Sequence, residues 1–237
     1  STIIVGVTSD ALGLPQEEEA YLDTSLTADE RAKDLVSRMT LDEKISQIGN
    51  RAPAIERLGI DEYEYWNEAL HGVARSGKAT VFPQVIGLSS TWNPELIYEM
   101  ASATSDEARV KNNINGKGLT YWSPTVNMSR DPRWGRAEES YGEDPYLASE
   151  LSVNFVKGMQ GDHPDYLKTV ATLKHYVANN TEYNRHSSSS EVDMRDLAEY
   201  YFPVFKAGVQ EGNYNLSVYN SARCVRDNWR WSASIRI

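Results

Sequence analysis

The sequence predicts an α/β chain with a parallel sheet of the β/α-barrel type. Three observations carry that prediction. Short β-rich runs alternate with longer helical segments, which is the pattern of βαβ units and of a parallel sheet. The helical segments open on recognisable caps, two of them on Asx-Pro pairs at Asn93-Pro94 and Asp144-Pro145. Segments rich in charge and aromatic rings fall at or just beyond the C-terminal ends of the strand candidates, the face on which β/α barrels build their sites. At 237 residues the chain can bury a substantial core, and one large domain fits the composition better than two small ones.

Residues 1–26 show no sustained period and read as a solvated N-terminal arm. Structure is expected from Thr27, where Thr27-x-x-Glu30 is a capping box followed by Ala32, Leu35, Val36 and Met39 at helical spacing. A second box, Thr40-x-x-Glu43, restarts a short helix with Ile45 and Ile48, stopped by Gly49. Strands are then expected over 80–82, 119–122, 169–173 and 215–219, with helices from Asn93-Pro94 to about Asn112, from Asp144-Pro145 to about Gln160, and from near Asp193. Pro203 should kink or split the last of these. The expected organisation is an arm at 1–26, a partial β/α-barrel domain at 27–222 and an atypical tail at 223–237.

Composition excludes several functions. A net charge of −10 opposes a phosphate backbone, so no nucleic-acid partner is expected. No apolar run approaches the length of a membrane span. Four scattered His and the single Cys224 form no ligand-spaced cluster, and no glycine loop suits a phosphate, so neither metal nor cofactor is expected. Six Trp and fourteen Tyr against four Phe make an aromatic set that stacks and hydrogen-bonds together, as a carbohydrate surface must. Ser1 to Thr8 lacks a charged n-region and is too short for an intact signal peptide; as the remnant of a processed one it favours a periplasmic or secreted setting. Sequons at Asn127, Asn179 and Asn215 fall inside the expected site-forming segments, where a glycan would obstruct the pocket, and are read as chance.

The densest stretch runs from Tyr121 to Pro145 and has no period. Long loops in compact domains are usually functional or disordered, and the aromatic content here argues for function. Within it, Arg130-Asp-Pro-Arg-Trp-Gly-Arg136 followed by Tyr141-Gly-Glu-Asp-Pro145 resembles the signature loop of glycoside hydrolase family 3. Trp66-Asn-Glu-Ala-Leu-His-Gly72 and Lys174-His-Tyr-Val-Ala-Asn-Asn-Thr-Glu182 resemble the xylosidase-type members, in the family's order, over roughly residues 21–220. The resemblance implies an incomplete (β/α)8 TIM-barrel-type domain and retaining hydrolysis of terminal β-D-xylosyl or β-D-glucosyl residues. β-Linked xylo- or gluco-oligosaccharides or glycosides are then the expected partners. Four or five strands cannot close an eight-stranded barrel, and open sheet edges invite self-association.

Seven residues are the substrate-binding candidates: Trp66, Glu68, Trp122, Arg136, Lys174, His175 and Tyr219. The Glu68 carboxylate can bridge two vicinal hydroxyls with Trp66 nearby to stack on the sugar, although by spacing alone Glu68 is equally a local cap or ion-pair partner. The resemblance places it in the segment that recognises the non-reducing sugar. Arg136, Lys174 and His175 supply donors, and two cations keep a neighbouring carboxylate ionised. Arg130 and Arg133 are expected to brace the loop against Asp131, Glu138, Glu139, Glu143 or Asp144.

The catalytic carboxylates are not matched. In the family the nucleophile is an Asp on a later strand and the acid/base comes from a second domain. Here Ser217-Val-Tyr-Asn220 is shorter than the family's segment, which weakens the match of Tyr219, and the residues after Arg223 depart from the pattern. Asp227 lies in an Asp-x-Trp triplet but follows Lys174-His175 too soon, and no apolar strand precedes it. A sugar-binding fragment without turnover is therefore the alternative reading.

Overall fold

The computed structural model describes residues 19–212, in two compact units divided between Ile48 and Gly49. The strand expected at 215–219, Tyr219 and Asp227 lie outside the described residues.

In the smaller unit a 3₁₀ turn, Ala20–Leu22, precedes α1 (Ala28–Arg38) and α2 (Leu41–Ser46). Both capping boxes form, with Thr27 accepting from the Glu30 amide and Thr40 from the Glu43 amide. The α2 helix stops at Ser46 with Gln47 still right-handed, so Gly49 is not its terminator. Tyr21 is buried; its amide donates to Asp34 and its carbonyl accepts from Arg31.

The larger unit begins with an antiparallel pair, β1 (Arg51–Ala52) and β2 (Tyr63–Glu64), turned at Gly59 with φ 62°. The short α3 (Val85–Ser89) and the long α4 (Pro94–Asn115) follow. Next come β3 (Thr120–Tyr121), α5 (Pro145–Gln160) and β4 (Val170–Ala171). The sequence-predicted starts of α4 and α5 are the observed ones, because Asn93 and Asp144 each accept the amide three residues on and each has Pro at N1. Near the end, α6 (Met194–Asp196) runs through one π-helical turn, Leu197–Tyr201, into α7 (Phe202–Glu211). That turn falls just before Pro203, whose missing N–H and ring interrupt regular α-helical bonding.

Strands β3 and β4 pair in parallel, Thr120 opposite Val170 and Tyr121 opposite Ala171, with α5 as the crossover. Asn67 joins the same row by a parallel bridge to Tyr121, and Thr125 bridges Lys174 further along. Phe155, Leu151 and Met159 of α5 are buried with Ile97 and Met100 of α4, Val204 and Phe205 of α7, and Tyr121 and Leu173. Helices α4 and α5 cross at Gly158, where a Cβ would lie 2.4 Å from the Tyr98 carbonyl oxygen. The 80–82 segment is not a strand. Its Thr80 is tied to Glu107 by backbone and hydroxyl, Phe82 exchanges hydrogen bonds with His71, and Pro83 ends the run. Among the described residues no helix is long and apolar enough to cross a membrane.

Candidate active site

The row Asn67, Tyr121, Ala171 positions much of the site. Glu68 is one residue past Asn67, Trp122 one past Tyr121, and Lys174 and His175 come just beyond β4. Because the three segments are parallel, these residues share the carboxyl-end face of the sheet. The Asn67 side chain holds its segment there by donating to the carbonyls of Glu64 and Thr120, while the Asn67 carbonyl accepts from Trp122. A Cβ at Gly118 would sit 2.3 Å from the Glu64 oxygen, so only glycine lets the two segments close.

Lys174 reaches both Glu68 oxygens, at 3.0 and 2.9 Å, and its side chain is almost wholly buried. Burial holds the ammonium below the usual lysine range, opposed by the charge of Glu68. The Trp66 indole N–H donates to the same carboxylate at 3.2 Å. Its ring stacks on Trp122, centroids 5.4 Å apart, and the Arg75 guanidinium lies 4.3 Å from its centre. Trp66 and Trp122 thus form one aromatic platform beside Glu68.

Arg136 makes a fork with Glu139, both bonds at 2.7 Å, leaving its remaining terminal nitrogen 3.4 Å from His175 Nε2 and 3.8 Å from Glu182. Burial alone would raise the Glu139 carboxyl, but the Arg136 hydrogen bonds and charge, with Lys174 and Thr125, hold it below the ordinary range. His175 is pushed down to about 3 by burial and by the charges of Arg136, Lys174 and Arg185, so it is neutral.

Glu68, Arg136, Lys174 and His175 are therefore brought together, with Trp66 and Trp122 beside them. They line neither the cavity of about 150 Å³ beside Arg130 nor the one of about 270 Å³ beside Arg109. Arg133 braces Asp131 as expected, whereas Arg130 lies over the Tyr201 ring, 5.4 Å from its centre. Sequence reasoning missed Asn127, which holds His175, and left Glu139 to the loop arginines Arg130 and Arg133 rather than to Arg136. The i, i+3 spacing of Arg136 and Glu139 was the available signal for the second. Asn127 and Asn179 are buried, which removes both as glycan acceptors in the folded chain. Among the described residues no group of three or more His, Cys, Asp or Glu is placed to hold a metal ion.

Residues 40–222 match the Glycosyl hydrolase family 3 N terminal domain. The chain belongs to glycosyl hydrolase family 3. Its fold is accordingly part of a TIM-barrel-type α/β domain, of which the described residues form two small sheets. A xylan 1,4-β-xylosidase of Xylanibacter ruminicola is 42% identical over 222 residues, covering 88% of this chain and 25% of that protein. An exo-1,4-β-xylosidase of Emericella nidulans is 40% identical over 247 residues, covering 92% and 32%. Among solved structures, a family 3 exo-β-xylosidase in complex with a xylobiose aziridine activity-based probe superimposes with a TM-score of 0.76. It shares 33% identity, over 84% of this chain and 28% of that one. A β-glucosidase of Bifidobacterium adolescentis gives a TM-score of 0.64 and 37% identity, over 74% and 25%. The chain thus spans about a quarter to a third of the length of these family 3 relatives.

Proposed function

We propose that this chain carries the sugar-recognition part of a retaining, exo-acting family 3 glycoside hydrolase that removes terminal non-reducing β-D-xylosyl or β-D-glucosyl residues. One observation carries the reading: Glu68, ion-paired to Lys174 and touched by the Trp66 indole, stands on the carboxyl-end face beside Arg136 and His175. A carboxylate already oriented by an ammonium and an indole N–H accepts from two neighbouring hydroxyls without first being ordered. The Trp66 and Trp122 rings offer an apolar face next to it. Within this reading the organisation is the arm at 1–26, the barrel portion at 27–222 and the tail at 223–237, and Tyr219 belongs to the same set.

Xylose is the favoured sugar. Glu68 and Trp66 in contact leave little room for the extra hydroxymethyl of a hexose, and one ill-fitting small group is worth about 1–3 kcal/mol. Calorimetric titration of the chain with xylose and glucose tests this. Tighter xylose binding that vanishes in Glu68→Ala supports the assignment; equal binding of both sugars, unaffected by that substitution, sinks it.

A specific observation favours the alternative, binding without turnover by this chain. Glu68, Glu139 and Glu182 are each engaged by cations, Lys174 for the first, Arg136 for the second, Arg136 and Arg185 for the third. Retention needs a nucleophilic carboxylate and an acid/base carboxylate about 5–5.5 Å apart. Release of nitrophenol from an aryl β-xyloside, with Asp227→Asn as control, separates the readings. Self-association through the open edges of the parallel sheet belongs to the same proposal and is read by sedimentation.

A further inference from the structure

Asn127 occupies a position that the recognition cluster itself does not explain. It is buried at the carboxyl-end face, and its side chain makes three polar contacts. Its Oδ1 accepts from the backbone N–H of His175 at 2.9 Å and lies 3.0 Å from His175 Nδ1; its Nδ2 donates to the carbonyl of Asn179 at 2.8 Å. The orientation of the amide is settled by this set. Turned over, it would set NH₂ against the His175 N–H and oxygen against the Asn179 carbonyl, losing both of those bonds and keeping only a reversed contact to Nδ1. With Oδ1 fixed as an acceptor, His175 Nδ1 must carry the proton. Its Nε2 is then bare, and it faces Arg136 at 3.4 Å.

We propose that Asn127 is the positioning residue that locks His175 as the Nδ1–H tautomer and so presents a bare Nε2 as a hydrogen-bond acceptor at the sugar site. This rests on the sugar-recognition reading for the nature of the donor, a sugar hydroxyl or the Arg136 guanidinium it displaces. The tautomer itself follows from the Asn127 geometry alone. The pairing gives the site both polarities: Arg136 and Lys174 donate, while Glu68 and His175 accept, which suits a ligand whose every hydroxyl does both. Around His175 the charged groups are Arg136, Lys174 and Arg185, with Glu139 and Glu182 held on Arg136 and Arg185.

The test uses the ¹⁵N-labelled 237-residue chain, with the His175 signals, among four histidines, assigned by their loss in His175→Gln. Long-range ¹H–¹⁵N spectra near neutral pH should show Nδ1 protonated and Nε2 bare. Asn127→Leu should abolish that preference and weaken xylose binding about tenfold, while Asn127→Asp, which keeps the acceptor although it loses the donation to Asn179, should restore the tautomer. The aspartate should also move the His175 titration upward by about 1–3 pH units. A proton on Nε2 in the unaltered chain would overturn the proposal, as would an unchanged tautomer and xylose affinity in Asn127→Leu. Should Asn127→Leu fail to fold by circular dichroism, the aspartate variant decides, and an unmoved titration there overturns the proposal. Failure of xylose to bind the unaltered chain would defeat the sugar-site reading alone, with the tautomer still deciding the part of Asn127.

Discussion

Residues 19–48 and the α4–α5 pair are both helical, but the helices of the first are held by their own side chains and those of the second by each other. Along α1 no residue is buried, and most of its side-chain bonds are local: the Thr27–Glu30 box, Arg38 on Asp34, Lys33 on Asp29, with Arg31 and Asp34 reaching further only to the backbone of Tyr21. In α5, nine of sixteen residues are buried, and Gly158 brings its backbone against α4. Local capping decides where a helix starts and contributes roughly 1 kcal/mol; burial of an apolar face decides whether the element persists. The site hangs on the second kind of region, since β3, β4 and the segments beyond them are anchored through Tyr121 and Leu173 to the core that α5 builds.

The strongest way to break this contrast is Phe155→Ala. Phe155 is wholly buried at the centre of the cluster, and removing such a side chain costs about 3–5 kcal/mol. Denaturant unfolding of the larger unit should shift by that amount, with loss of xylose binding, while hydrogen exchange in α1 and α2 stays unchanged. A shift under about 1 kcal/mol would mean that the core does not hold the site.

Next in size is Lys174→Met, which strips Glu68 of its counter-charge. Breaking a buried pair costs about 3–5 kcal/mol, and because Glu68 keeps some exposure the expected loss is about 2–3 kcal/mol. Lys174→Met combined with Glu68→Leu should recover much of it, as the buried charge goes with its partner. If the double variant is no more stable than Lys174→Met, the penalty lies in packing and not in the orphaned carboxylate.

The contrast also explains what could be read in advance. Helix starts at Thr27, Thr40, Asn93, Asp144 and Asp193 were legible because a cap is written within four residues of the element it begins. Strands β3 and β4 were legible as β-rich runs between turns. The β1–β2 pair was not, because two-residue strands carry no alternation and their partners lie eleven and thirteen residues apart. The 80–82 segment misled by composition: Thr-Val-Phe favours a strand, but Glu107 and His71 take its hydrogen bonds. Glu68, Arg136, Lys174 and His175, which the fold brings together, were singled out through their motif context, whereas Asn127 was read as a chance sequon. Its partner is 48 residues away, and no spacing rule links the two.

An effect of similar size follows from pH. His175 has a folded pKa of about 3 against an ordinary value of 6.5, so the unfolded chain takes a proton that the folded chain refuses. Its stability contribution is complete above pH 6.5 and is lost as pH falls toward 3. Glu139, held below the usual range, acts in the same direction at the acid end. Between pH 6.5 and about pH 4 the loss from His175 should be on the order of 2–3 kcal/mol, and it should be absent in His175→Gln. Parallel stability curves for the two proteins over that range would place the imidazole in water.

The smallest expected effect probes the locally held region. In Thr40→Ala the methyl group cannot accept from the Glu43 amide, and Glu43 loses the reason to reach back to the Thr40 N–H. An N-cap threonine is worth about 1 kcal/mol, which corresponds to roughly a fivefold rise in the exchange of the α2 amides. Because the bonds lost are all within four residues, exchange in α5 and the xylose affinity should not move. If Thr40→Ala accelerated exchange in α5 as well, α2 would be part of the same cooperative unit as the core, and the division between locally held and mutually held helices would fail.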